Sequence, residues 1–313
     1  MTRILFAAAP ARWAEYREPL PHALDAVGVA HRIVTLENDP DPATIDWIVY
    51  APNSALQDFT PYTRLKGVLN LWAGVEDVEG NPTLRAPLAR MVEDGLTRGM
   101  VEWVTGHVLR HHLGMDAHIS NPDRIWTATP PPLARDRPVA MLGMGELGTA
   151  CATALTTLGF PVTGWSRGPK TVPGVRSVTG PDGLADALGG AKIVVLLTPL
   201  TRSTANLIDA AALAAMRPGS VLLNPGRGGL VEDDALLAAL SDGHLAHATL
   251  DTFRTEPLPD DHPFWSHPKI TVTPHIASAT RPDGAARVIA ENIRRGEAGE
   301  PLLHLVDRSE ALA

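Results

Sequence analysis

The stretch Val139-Ala140-Met141-Leu142-Gly143-Met144-Gly145-Glu146-Leu147-Gly148 limits what this chain can fold into more than any other part of it. A short apolar run with the character of a buried strand passes directly into Gly-x-Gly-x-x-Gly. Residues 149–158 follow, and their alanines, threonines and leucines suit a helix packed on a sheet. Each glycine then has its own mechanical task. Gly143 permits the tight turn, Gly145 lets backbone approach a pyrophosphate, and Gly148 lets helix and strand pack closely. The helix start at Glu146 and Leu147 faces the negative charge. Taken alone the pattern also reads as a plain glycine-rich turn; the strand before it and the helix after it favour a dinucleotide.

At 313 residues the chain exceeds the roughly 100–200 residues of one domain, so two domains are expected. A net charge of −8 without a long basic run argues against nucleic acid as the main partner. An anionic small molecule would need local cations. The single cysteine, Cys151, excludes an intrachain disulfide framework and a zinc cluster and reads as a small core residue, so no metal is expected. The apolar run near the N-terminus is too short for a signal peptide or a membrane span, and no stretch elsewhere approaches about 18 apolar residues. The expectation is a soluble, cytoplasmic protein.

Strands are expected over 3–9, 31–36, 46–50 and 66–71, with a helix over 13–27 interrupted by Pro19 and Pro21. This alternation implies a parallel sheet covered by helices. Residues 97–113 place Met100, Val101, Val104, Val108 and Leu109 near helical spacing, in a segment long enough to carry the chain into a second domain. The loop over 121–138, centred on Pro130-Pro131-Pro132, reads as a linker or as an arm packed on a partner subunit. From Val139 the alternation restarts, with strands over 139–142, 162–165, 193–197, 220–224, 246–251 and 270–273: six, as a doubly wound dinucleotide domain needs. A last helix over 282–295 returns the chain to the first domain. The expected division is 1–98 with 284–313 for substrate and 99–283 for dinucleotide.

About 20 residues beyond the glycines a carboxylate would ordinarily hold the ribose 2′-hydroxyl of NAD. This chain has Ser166, Arg167 and Lys170 there instead. These remove a repulsion from a 2′-phosphate and supply donors to it, which favours NADP over NAD; a solvated basic turn is the alternative. Thr198-Pro199-Leu200-Thr201 ends one strand at the sheet edge where a ligand would lie, and Thr204 follows it. Asn224-Pro225-Gly226-Arg227-Gly228 ends the next with one arginine among glycines, either a carboxylate clamp or a surface turn. Asp251 and Glu256 follow a third strand. His275, one of twelve histidines, follows a fourth.

These features in this order, with Glu256-Pro257-Leu258-Pro259 and the run from His262 to His267 leading into Thr273-Pro274-His275, resemble the D-2-hydroxyacid dehydrogenase family. Trp165-Ser166-Arg167 with Lys170, the short first domain and the ending from Gly299 to Arg308 are most similar to its glyoxylate/hydroxypyruvate reductase A branch. The resemblance covers nearly the whole chain. It implies an α/β fold of two doubly wound parallel-sheet domains, a Rossmann cofactor domain and a smaller flavodoxin-like substrate domain. It also implies that Arg227 binds the keto acid's carboxylate and carbonyl oxygen, that His275 is the general acid and base, and that Glu256 pairs with the imidazole. Cofactor contacts carry over to Gly143, Gly145, Glu146, Leu147, Gly148, Ser166, Arg167, Lys170, Thr198, Pro199, Thr204, Pro225, Gly226 and Asp251. Asp251 would hold the nicotinamide carboxamide. Trp72-Ala73-Gly74-Val75 matches the family's substrate loop, whose amides at Ala73, Gly74 and Val75 receive the carboxylate. Tyr50 and Met100 fall at pocket positions, with core packing as the alternative for both. Pro225, Trp72 and Glu76 depart from the commoner residues. Pro225 could alter the loop under the nicotinamide, and the other two the acid-binding mouth.

The reaction expected is NADPH-dependent reduction of a small 2-keto acid, glyoxylate or hydroxypyruvate, to the D-2-hydroxy acid. A protonated His275 would meet the charge that develops on the carbonyl oxygen, and Glu256 would favour that protonated form. The crossings near Arg98 and Asp283 are hinge candidates. An NAD-linked dehydrogenase of another D-2-hydroxy acid is the second reading, and a non-catalytic dinucleotide-sensing protein the third. The intact Arg227, Glu256 and His275 and the absence of appended tails weigh against the third. The resemblance further implies a homodimer, with residues 111–138 as the packing arm.

Overall fold

The computed structural model describes residues 1–126 and 128–309. Thr127, inside the expected arm, and residues 310–313, at the end of the expected substrate domain, lie outside the described residues. The chain divides into two compact units, Met1–Leu96 with Ala279–Ala313, and Thr97–Ser278.

The first unit carries β1 (Thr2–Ala7), β2 (His31–Thr35), β3 (Trp47–Tyr50), β4 (Gly67–Asn70) and β5 (Leu88–Ala89) in the order β2-β1-β3-β4-β5, every pairing parallel. This is the flavodoxin-like winding. Every residue of β3 and β4 is buried because helices and loops cover both faces of the sheet. One face packs Ile4, Phe6, Trp47 and Val49 against Leu20, Leu24, Ala285, Ile289 and Ile293. The other packs Leu5, Ile48, Tyr50 and Val68 against Phe59 and Leu84. The fifth strand was not expected, because two residues are too few to show alternation. The prolines act differently from one another. Pro19 begins a second helix, Pro19–Ala26, after Pro10–Tyr16, whereas Pro21 sits in its first turn, where no backbone donor is needed. Buried Glu93 accepts the amides of Gly95 at 2.7 Å, Leu96 at 2.5 Å and Arg281 at 3.1 Å. One carboxylate thereby caps the helix Asp94–Leu113 and the helix Pro282–Glu297 at their positive ends.

The second unit carries β6 (Val139–Leu142), β7 (Val162–Ser166), β8 (Val175–Thr179), β9 (Ile193–Leu196), β10 (Ser220–Asn224), β11 (Leu245–Leu250) and β12 (Ile270–Val272). Their order is β12-β11-β10-β9-β6-β7-β8, again all parallel. Among the described residues there are seven strands where six were expected. The addition, β8, is a half-exposed edge strand, and its Arg176 and Ser177 hid it among turn-like residues. Because the strands run parallel, the turns after all of them open at one edge of the sheet. The winding reverses between β6 and β9, the switch point at which such sheets bind ligands. Among the described residues no helix is long and apolar enough to cross a membrane.

Candidate active site

The glycine turn has the geometry its sequence implies. Gly143 has φ +105°, and a Cβ there would lie 2.4 Å from the carbonyl carbon of Leu197. A Cβ at Gly148 would lie 1.8 Å from the carbonyl oxygen of Gly143. Gly145 instead faces open space, with nothing within 4 Å, and is the N-cap of the helix Glu146–Thr157, which has no side-chain cap. A helix start with spare amides beside open backbone fits a pyrophosphate. Across the switch point Thr198 is buried, and its Oγ1 has no partner among the described residues. Thr204 closes the turn that follows, donating to the Pro199 carbonyl at 2.7 Å and accepting from the Thr201 amide at 2.8 Å. At the end of β7 the Ser166 hydroxyl donates to the Gly168 carbonyl at 2.8 Å, and Arg167 and Lys170 are exposed. These residues fit a dinucleotide, and the exposed cations fit a phosphate on its ribose.

The turn after β10 is held by Asn224, which the sequence reading passed over. Its amide donates to the Arg227 carbonyl at 2.9 Å, and its oxygen accepts the Gly226 amide at 3.1 Å. Pro225 is buried in this turn, and half-buried Arg227 donates to the Gly226 carbonyl at 2.8 Å. Gly228 is needed because a Cβ there would lie 2.0 Å from the carbonyl carbon of Phe253, so this turn packs directly on the one after β11.

His275 and Glu256, 19 residues apart, meet: Nδ1 of the imidazole lies 2.6 Å from Oε2 of the carboxylate. The other oxygen, Oε1, accepts the Phe253 amide at 2.9 Å, which fixes the carboxylate's orientation. The bond at Nδ1 leaves Nε2 as the imidazole's free end for chemistry. His275 sits at φ +53°, a left-handed conformation that costs a side-chain-bearing residue of order 1–3 kcal/mol and must be imposed by its surroundings. Asp251 imposes it. Fully buried, it takes the Thr273 hydroxyl at 2.6 Å and the Ile276 amide at 2.9 Å on Oδ1, and the Ala277 amide at 2.9 Å on Oδ2. A carboxylate has about four acceptor positions, so one remains on Oδ2. Nearby Thr252 is buried, and its Oγ1 has no partner among the described residues.

In the first unit, the loop after β4 is tied by Asn70, whose amide donates to the carbonyls of Trp72 at 2.9 Å and Gly74 at 2.8 Å. With its carbonyls turned onto Asn70, the amides of Ala73, Gly74 and Val75 have no acceptor among the described residues. Tyr50 lies in the core, 1% exposed, with its hydroxyl donating to the Leu56 carbonyl at 3.2 Å and its ring edge-on to Phe59. Met100 packs with Val104 and Val108 in the core of the second unit. Cys151 is likewise a core residue, its thiol pushed up to about 12 by burial. Asn224, Asn70 and Thr273 were missed as site residues because a short polar residue at a strand end carries no signal until its turn is built.

The family model for the NAD binding domain of D-isomer specific 2-hydroxyacid dehydrogenases matches residues 107–277. Glyoxylate/hydroxypyruvate reductase A of Serratia proteamaculans is 39% identical over 252 residues, covering 78% of this chain and 80% of that protein. Among solved structures, a D-isomer specific 2-hydroxyacid dehydrogenase from Xanthobacter autotrophicus Py2, in complex with NADPH and MES, is 35% identical with a TM-score of 0.91 over 99% of both chains. The NADPH-dependent glyoxylate/hydroxypyruvate reductase of Sinorhizobium meliloti, in complex with NADP and sulfate, is 31% identical with a TM-score of 0.89, over 99% of this chain and 100% of that one.

Proposed function

This chain belongs to the D-isomer specific 2-hydroxyacid dehydrogenase family of NAD(P)-dependent oxidoreductases, and we propose that it is an NADPH-dependent reductase of small 2-keto acids, glyoxylate and hydroxypyruvate foremost. The observation that carries this reading is the 2.6 Å pairing of His275 with Glu256 at the strand-end edge that also bears Arg227. Structures of two relatives with NADPH or NADP, and the names of the curated relatives, support the cofactor and substrate class.

When bound, NADPH supplies the hydride to the keto carbon. The carbonyl π pair then moves onto oxygen, and the chain's own residues meet that charge. Arg227 holds the oxygen and the neighbouring carboxylate and stabilises the charge as it grows. His275 donates the proton at Nε2, so the product leaves as the hydroxy acid and the imidazole is left neutral. Glu256, paired with Nδ1, keeps the ring oriented so that Nε2 faces the reacting oxygen. The reverse reaction needs the neutral imidazole. Asp251 sets the backbone from which His275 projects and offers its remaining acceptor position to the nicotinamide carboxamide. The amides of Ala73, Gly74 and Val75, beside Trp72, are donors for the substrate carboxylate. We assign 1–98 with 284–313 to the acid and 99–283 to the dinucleotide.

Following the absorbance of NADPH and of NADH in parallel, with glyoxylate, hydroxypyruvate, pyruvate and phenylpyruvate, tests this reading. Fast decay with NADPH and the two small acids is expected. A preference for NADH would point to an NAD-linked dehydrogenase. Tight cofactor binding without turnover on any acid would point to a sensor.

We further place the protein in the cytoplasm as a homodimer packed through residues 111–138. Leu113, Met115, Ile119, Ile125, Trp126 and Leu133 expose apolar surface along this segment, Trp126 at 93%. Sedimentation as a monomer at micromolar concentration would contradict the dimer.

A further inference from the structure

Arg254 lies in the turn after β11, two residues before Glu256, and its side chain leaves that turn for the two beside it. Nη2 donates to the carbonyl oxygen of Val231 and to Oδ1 of Asn206, and Nε donates to Oδ1 of Asp233 at 3.3 Å. Val231 and Asp233 belong to the segment that follows Arg227. Asn206 ends the turn that begins at Thr198, held in the left-handed conformation at φ +54°. The backbone runs the same way. The Asn206 amide donates to the Gly229 carbonyl at 2.9 Å, the Ile208 amide to the Leu230 carbonyl at 2.9 Å, and the Glu232 amide to the Ile208 carbonyl at 3.0 Å. A single guanidinium therefore ties together the turns after three neighbouring strands, β9, β10 and β11.

Each of these turns carries one part of the reaction proposed above: Thr198 the cofactor edge, Arg227 the substrate clamp, Glu256 the partner of His275. At its start the β11 turn is tied to the β10 turn by the Asp251 amide, which donates to the Asn224 carbonyl at 3.0 Å. It touches the β10 turn at Gly228, where Phe253 lies against the glycine, but that contact is van der Waals and has no direction. The guanidinium adds direction, since its planar fork offers donors at fixed angles that an ammonium lacks.

We propose that Arg254 is a positioning residue of this site: its guanidinium sets Arg227 in register with the Glu256–His275 pair by clamping the turns after β9, β10 and β11. The inference rests on the roles given above to Arg227 and His275. Arg254 itself touches no reacting atom and acts through Glu256 and Arg227.

The test is steady-state reduction of glyoxylate and hydroxypyruvate by Arg254→Met at saturating NADPH, together with the Kd for NADPH. The expected result is a fall in kcat/KM for the acid of about 10- to 100-fold, the scale on which small misplacements of catalytic groups act, with the NADPH Kd changed less than about threefold. Free guanidinium ion at millimolar concentration is expected to restore part of the turnover of Arg254→Ala. It is not expected to act on Glu256→Gln. Should the methionine variant not fold, Arg254→Lys, which keeps charge and reach but loses the fork, is measured the same way and is expected to fall at least fivefold. Wild-type kcat/KM in a folded Arg254 variant overturns the proposal. So does a loss that tracks NADPH affinity, or one that vanishes when the assay is cooled well below the unfolding midpoint. His275→Ala assayed alongside separates the two readings. If it retains turnover, the account of the site fails whatever Arg254 does. If it is inactive while Arg254→Met matches wild type, only the positioning role fails.

Discussion

The amide of His275 donates to the main-chain carbonyl of Asp251 at 2.8 Å, and the Asp251 carboxylate takes the next two amides, Ile276 and Ala277. The residue proposed to move the proton is therefore held in its left-handed conformation by a buried carboxylate 24 positions earlier. Asp251→Asn keeps the size but turns an NH2 group toward at least one donor. A buried donor left unpaired costs about 1–3 kcal/mol, and the turn that aims His275 relaxes. A lower unfolding midpoint and a kcat for keto-acid reduction at least about tenfold below wild type are expected. Unchanged values for both would show that the carboxylate does not hold this turn.

Two glycines three residues apart give opposite expectations. A Cβ at Gly148 would overlap the Gly143 carbonyl, so Gly148→Ala is expected to lower thermal stability by several degrees. Gly145 has open space around it and an ordinary φ of −77°, so Gly145→Ala should leave the unfolding midpoint of the protein alone unchanged. It should nonetheless weaken NADPH binding at least about tenfold, because the backbone can no longer approach the pyrophosphate. Calorimetry with and without NADPH reads both. If Gly145→Ala bound NADPH normally, the pyrophosphate would not lie there.

Arg167 at the end of β7 is expected to set the choice of cofactor. A charge-assisted hydrogen bond is worth about 1.5–3 kcal/mol, and tenfold corresponds to about 1.4 kcal/mol. Arg167→Asp should therefore reduce the ratio of NADPH to NADH catalytic efficiency by at least tenfold and should raise NADH use. An unchanged ratio would assign the 2′-phosphate to other residues.

Acid stability is expected to be limited by two histidines that meet between the helix Asp94–Leu113 and β11. The rings of His111 and His247 lie 5.0 Å apart, bonded to Thr249 at 2.9 Å and Thr271 at 2.8 Å. Burial pushes His111 down to about 3, helped by His247 and Arg110, and burial and Arg110 push His247 down to about 4. Asp116 opposes both shifts. His107 adds to both, and His267 adds to that of His247. The folded state thus keeps both rings neutral while the unfolded chain protonates them near 6.5. Their contribution is fully present above that value and is lost as pH falls from about 6.5 toward 4 and 3, at up to about 1.4 kcal/mol per histidine per pH unit. Thermal unfolding between pH 7.5 and 5 should show a falling midpoint. His247→Gln should flatten that fall by roughly half, and an equally steep fall in the variant would contradict the assignment.

Much of this was legible in the residues. The glycine turn, the strand ends bearing Thr198, Arg227 and Asp251, and most of the parallel strands themselves were readable, because β-strands buried on both faces leave long apolar runs and their exits leave Gly and Pro. The short strand Leu88–Ala89 and the edge strand Val175–Thr179 lacked that signature. The cross-loop bonds were beyond reach for a different reason. Asn70, Asn224 and Arg254 act on segments whose proximity only the folded sheet creates, so nothing near them in sequence distinguishes them from surface polar residues. Tyr50 shows a different limit. The sequence left pocket lining and core packing equally open for it, and only the pleat of β3 places its ring in the core with Phe59.

The most direct test of the account is the rate of NADPH oxidation by His275→Ala with glyoxylate and hydroxypyruvate, measured after NADPH binding has been confirmed. General acid catalysis contributes about 10²- to 10⁴-fold, and a loss of that size with NADPH affinity retained is the predicted result. Turnover at the wild-type rate would contradict the assignment of His275 as the proton donor, and with it the mechanism proposed here.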